Sequence, residues 1–199
     1  TTPRVFSLDE MRLFFGLNLS KNHPEYVYWN VGKLIFMLRG INITDLLLLT
    51  KENIVGDRIV YMRAKTGKVY SIAINQYIED VLSTFEANET LLGLLDKNQL
   101  KKENRTQALH QKRKLINQHL KKIGQSIGAK EHLTTYVFRY SYANIAKSSG
   151  YSKDLIAEAL GHEYGNAITG IYLEPFDLDE VDEMNLNIIY IFRKNTRYL

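Results

Sequence analysis

Cysteine is absent from the 199 residues, which excludes a disulfide framework and a thiolate metal site. The five histidines, His23, His110, His119, His132 and His162, show no close pairing of the HExxH kind, so no metal is expected. The first twenty residues carry Arg4, Asp9, Glu10 and Arg12, a charge content foreign to a signal peptide. No apolar run reaches the length of a membrane span, and no membrane partner is expected. Internal repeats and low-complexity segments are missing. So is an initiator methionine, which points to a piece of a longer chain.

What is present suits one domain, or a domain with a small appendage. Hydrophobic residues make up 45% of the chain, enough for a core. The net charge of +4 and the pI of about 9.1 permit a nucleic-acid partner without proving one. The charge is unevenly spread. Between Lys97 and Lys130 there are ten lysines and arginines against one acid, Glu103, whereas Glu174 to Glu183 holds six acids and no base. Such segregation fits a molecule with one face turned to a polyanion.

Hydrophobic spacing predicts a mainly α fold with a small antiparallel β-sheet, an α+β class. Ser7 and Glu10 form a capping box for a helix to about Leu19. A second helix opens at Asn22-His23-Pro24, runs to about Leu38 and is interrupted by Gly40. A helical turn over ITDLLLL follows, capped by Asn42 or Thr44. From Glu52 to Asn75 the chain is β-branched and aromatic, with turns at Gly56-Asp57 and Thr66-Gly67, predicting two or three strands. A helix starts at Asn75, and residues 88–104 read as an irregular or short helical link. Leu109, Ile116, Leu120 and Ile123 then share a helical face, turning the basic residues between them outward. Thr134 or Thr135 caps a helix to about Ser149, and Ser152 caps another that Gly161 closes. Leu178, Val181, Met184, Ile188 and Phe192 form the stripe of a last helix.

The stretch from Thr134 to Pro175 carries the chemistry. Arg139 sits within a helical run, Gly161-His162 follows the end of another, and Tyr172 comes ten residues later. These three side chains can surround one phosphate. The guanidinium holds anionic oxygens with a planar, permanently charged fork. The imidazole adds a hydrogen bond or a proton. The phenol supplies a hydroxyl that can attack and stay attached.

The run RYSYAN…LGHEYGNAITGIY resembles the catalytic core of tyrosine recombinases, the phage-integrase family, and in particular integrases of integrative and conjugative mobile elements. Upstream, LRGINITDLLLL resembles the family segment bearing a first catalytic arginine, and VYMRAKTGKVYSIAI the hairpin bearing a catalytic lysine. The resemblance assigns Arg139, His162, Tyr172 and Lys65 to the site. Three departures stand out. The family's first arginine is replaced by Asn42, leaving Arg39 or Arg63 as the second guanidinium. The family's histidine ahead of the second arginine is Tyr136, on the same helical face as Arg139. The interval from His162 to Tyr172 is one residue longer than usual.

The resemblance further implies site-specific recombination by cleavage and rejoining of DNA through a 3′-phosphotyrosyl intermediate, without cofactor, metal or ATP. It implies double-stranded DNA as partner, a tetramer on paired sites, accessory DNA-bending proteins and a cytoplasmic, nucleoid-associated location. Lys112, Arg113, Lys114, Lys121 and Lys122 are expected to grip backbone phosphates. The preceding helical DNA-binding domain of such proteins is missing, so 1–199 reads as a catalytic domain with residues 176–199 as its tail helix, docked in cis or in trans. Two other readings share the scaffold: a DNA-binding module that has lost its chemistry, and a topoisomerase IB-like relaxing enzyme.

Overall fold

The computed structural model describes residues 4–63, 65–161 and 177–193. In order, the elements are α1 (Leu8–Phe15), α2 (Tyr26–Met37), α3 (Ile43–Leu48), a 3₁₀ turn (Lys51–Asn53), β1 (Ile54–Val55), β2 (Arg58–Met62), β3 (Val69–Ala73), α4 (Gln76–Leu82), α5 (Lys97–Leu100), α6 (Lys102–Ser126), α7 (Thr135–Ser148), α8 (Lys153–Leu160) and α9 (Leu178–Arg193). The mainly helical reading with one small sheet is what the chain adopts.

The local signals explain most boundaries. Ser7 accepts from the Glu10 N–H while Glu10 reaches back to Ser7, the expected capping box. The helix stops earlier than expected, at Phe15, where the Gly16 N–H returns to the Arg12 carbonyl. Residues 21–25 form turns rather than the start of α2, which begins at Tyr26. Pro24 is instead the second residue of a turn closed by the Tyr26 N–H on the His23 carbonyl at 2.9 Å. Of the two caps offered for α3, Asn42 is the one used: its side chain accepts from Thr44 N–H at 2.9 Å.

The three strands run antiparallel in the order β1-β2-β3, with Tyr61 paired to Tyr70 and Ile59 to Ile72. Ile59 and Ile72 face the core on the alternate residues of their strands. Residues 65–67 form the β2–β3 turn, which Gly67 enters with a positive φ of 68°.

The helices surround a single aromatic-rich centre. Phe14, Phe36, Phe138 and Tyr142 are fully buried, and Gly32 of α2 lets Phe14 and Phe138 meet where a Cβ would stand 2.6 Å from the Phe138 ring. On α6, Ile116, Leu120 and Ile123 are buried and Leu109 packs at the edge, so the predicted face is the one used. α9 lays Val181, Met184, Ile188, Ile189 and Phe192 into its own domain, with Phe192 stacked on Phe15 at 4.6 Å. Among the described residues, no helix is long and apolar enough to cross a membrane and no cluster of side chains could hold a metal.

Candidate active site

The site begins where α2 ends. Arg39 takes a left-handed conformation (φ 57°) and Gly40 follows at φ 69°, so the chain turns sharply beneath α7. Gly40 runs so close to α7 that a Cβ there would stand 2.7–2.8 Å from Cα, Cβ and Cγ of Arg139. Only glycine meets both demands at once. In return the Gly40 carbonyl accepts from Arg139 Nη1 at 2.9 Å.

Arg139 reaches a second carbonyl, that of Leu160 at the end of α8, through Nη2 at 2.6 Å. The Tyr70 hydroxyl donates to the same oxygen at 2.8 Å, and it also hydrogen-bonds the Arg139 side chain. Beside this junction α8 ends in Gly161, left-handed at φ 66°, where a Cβ would collide with the Tyr70 hydroxyl. Lys68 of the hairpin pairs with Glu158 of α8 at 3.3 Å. The sheet and α8 are thus fastened together, with Arg139 at the joint.

A pocket of about 40 Å³ opens on this joint, lined by Gly40, Ile41, Asn42, Ile43, Arg63, Thr135, Tyr136 and Arg139. No carboxylate lines it among the described residues. Burial pushes the Arg139 guanidinium below its ordinary pKa, and the nearby Arg63 charge adds to that against the opposing effect of Tyr70. Arg139 nevertheless remains cationic, since a guanidinium does not lose its proton in proteins. The pocket is small, positive and walled by donors, which suits the oxygens of a tetrahedral anion. α7 presents its first turn here, and its N-cap residue Thr134 makes no side-chain cap.

A second basic surface lies alongside. A groove of about 520 Å³ runs between α6 and the approach to α7, lined in part by Arg4, Arg113, Lys114 and Lys121. A neighbouring groove through Thr44, Thr106, His110 and Arg113 leads on toward α3.

No family model matches the sequence, and no curated protein shows a significant match. Solved structures do match. The integrase from mycobacterium phage Brujita superposes with a TM-score of 0.64 at 9% identity, over 97% of this chain and 60% of that one. The lambda integrase catalytic core gives 0.55 at 13% identity, over 80% of this chain and 96% of that one. XerA recombinase gives 0.55 at 19% identity, over 94% and 65% respectively. The fold is that of a tyrosine-recombinase catalytic domain. The chain therefore spans less than two thirds of the Brujita integrase and of XerA.

Within that fold the sequence candidates divide by where they stand relative to the pocket. Arg139, Tyr136 and Arg63 come together at the pocket. Lys65 is exposed on the β2–β3 turn, two residues beyond Arg63, and is not among the pocket's lining residues. Arg39 is 5% exposed, donates from Nη2 to the Ser71 carbonyl at 2.9 Å and is not among the pocket's lining residues. His162 and Tyr172 lie outside the described residues. Of the α6 cations, Arg113, Lys114 and Lys121 line the groove, while Lys112 is half-buried and Lys122 lies 3.8 Å from Glu25. The sequence reading missed Tyr70, the Gly40 carbonyl and Thr135 as parts of the site. Thr135 carries a signal in the sequence, since it flanks Tyr136 at a helix start, but a threonine there equally suits a cap. Backbone carbonyls carry no signal at all.

Proposed function

We propose that this chain is the catalytic domain of a site-specific recombinase from a mobile element, which cuts and rejoins double-stranded DNA through a phosphotyrosyl bond. The observation that carries the reading is the meeting of Arg63, Arg139 and Tyr136 at one anion-sized pocket, on a recombinase fold. Two guanidiniums over one pocket are costly to assemble unless an anion belongs between them.

In this reading Tyr172 attacks the scissile phosphate. The phenol loses its proton to water, a bond forms between its oxygen and phosphorus, and the bond to the 5′ oxygen breaks. Lys65 protonates that leaving oxygen. A 5′-hydroxyl of a partner strand later reverses the step, so phosphodiester energy is conserved and no nucleotide is consumed. Arg139 and Arg63 clamp the non-bridging oxygens, where charge grows in the transition state. Tyr136 donates a further hydrogen bond or positions Arg139. His162 hydrogen-bonds the phosphate. Lys114, Lys121 and Arg113 hold flanking backbone along the α6 groove without reading sequence. Paired sites, a tetramer and bending proteins belong to the same proposal.

A nicked suicide duplex tests it. The protein is expected to form a covalent adduct at a DNA 3′ end, and Tyr172→Phe to form none. Salt-sensitive binding without any adduct favours the binding-only module, a reading supported by the way Asn42 spends its side-chain oxygen on capping α3. Relaxation of supercoils without joined products favours the topoisomerase-like reading.

A further inference from the structure

We infer that the hydroxyl of Thr135, at the first position of α7, donates directly to the anion held between Arg63 and Arg139. The inference rests on the recombinase reading only for the identity of that anion, a scissile phosphate.

Thr135 is 5% exposed and lines the pocket beside both arginines. Its Oγ1 is buried and has no hydrogen-bond partner among the described residues. A buried hydroxyl left unpaired is costly, so a partner is expected from outside the protein. A threonine deeper in a helix would return its hydroxyl to the carbonyl one turn back. At the first helical position no such turn precedes it, and the Thr135 N–H is already taken by Asn117 Oδ1 of α6 at 3.0 Å. That bond fixes the backbone while leaving the hydroxyl unspent.

The electrostatics agree. α7 is a 14-residue helix, and its first turn, which the Thr134 side chain does not cap, adds partial positive charge where Thr135 stands. The Thr135 neighbours in the pocket wall include Arg63, Arg139 and Asn42, and no carboxylate competes there among the described residues. A neutral donor also suits the crowding. A third guanidinium would add repulsion that already depresses Arg139, whereas a hydroxyl adds a hydrogen bond without charge.

The test compares Thr135→Val, which keeps the shape and removes the donor, with Thr135→Ser, which keeps the donor. In single-turnover cleavage of a nicked suicide duplex, the valine variant is expected to lose ~10²-fold in rate. Its duplex affinity and melting temperature stay with the parent, and the serine variant stays within a few-fold of the parent rate. Valine at the parent rate, or serine as slow as valine, overturns the assignment while leaving the parent's adduct, and so the recombinase reading, intact. If the parent forms no adduct, the recombinase reading fails by itself. The donor role is then read from inorganic phosphate titrated against the Thr135 amide resonance: weakened binding in the valine variant alone sustains it, and equal binding in all three proteins removes it.

Discussion

Replacing Gly40 by alanine sets two costs against each other at one residue. The first is conformational: at φ 69° an L side chain costs about 1–2 kcal/mol. The second is steric, because the new methyl would stand 2.7–2.8 Å from Arg139, and one of the atoms it meets is Cα, which cannot swing aside. Forcing a methyl into such a contact typically adds about 1–3 kcal/mol. Gly56 supplies the internal control. Its φ is 61°, yet nothing lies within 4 Å of a Cβ placed there. Gly56→Ala therefore carries the conformational cost alone. At about 2–4 °C per kcal/mol for a chain of this size, Gly40→Ala should melt roughly 2–12 °C below Gly56→Ala. The displaced methyl must also push Arg139 off the Gly40 carbonyl, so cleavage by the surviving folded fraction should fall while duplex binding holds. Thermal denaturation of both variants, followed by single-turnover cleavage, reads both effects. Equal melting temperatures would refute the close approach of α2's end to α7.

The two candidate clamps separate in the same assays. Arg39→Ala removes a buried guanidinium stem and should lower stability by ~2–4 kcal/mol, leaving cleavage per folded molecule unchanged. Arg63→Ala should melt like the parent and cleave ~10²-fold more slowly; the reverse pattern would return the clamp to Arg39. Lys33 offers a pH test. Its amine lies 3.5 Å above the Trp29 ring, and burial lowers its pKa to about 8. Between that value and its ordinary one the unfolded chain holds a proton that the folded chain has released. Stability contributed by this group should therefore rise with pH from about 8 to about 10.5 and lie flat below that window. Lys33→Met should abolish the rise and be the more stable protein at pH 7, by ~1–2 kcal/mol after discounting for solvent exposure and the favourable cation–π contact. Urea midpoints across that range decide it, and a parallel pH profile in the variant would rule it out.

The sequence was most legible where one residue acts locally. Ser7 with Glu10, Ser152 and Gly161 each mark a boundary through a bond made within a few residues, and each performs that task here. The stripe of α6 was equally plain, because Ile116, Leu120 and Ile123 all answer to one buried face. Failures came where geometry overrode propensity. Pro24 looked like a first helical residue, yet turns hold residues 21–25 and α2 starts beyond them. Gly40 looked like a simple stop. Its second task, making room for Arg139 of a helix 99 residues away, depends on tertiary placement that no local pattern encodes. The same blindness favours Arg39 in the sequence, with Arg63 only as the alternative clamp. Their difference is that one backbone turn sends Arg39 inward to Ser71, whereas Arg63, at the foot of the hairpin, stays at the pocket.

One oxygen atom in this structure answers to two masters. The Leu160 carbonyl is held by a phenol from the sheet and a guanidinium from α7, two residues ahead of His162 in the chain. Under the proposed recombinase reading, a duplex that tilts the hairpin would pull on that oxygen through the Tyr70 hydroxyl. The hairpin and Arg139 would then answer to the same displacement through that one atom.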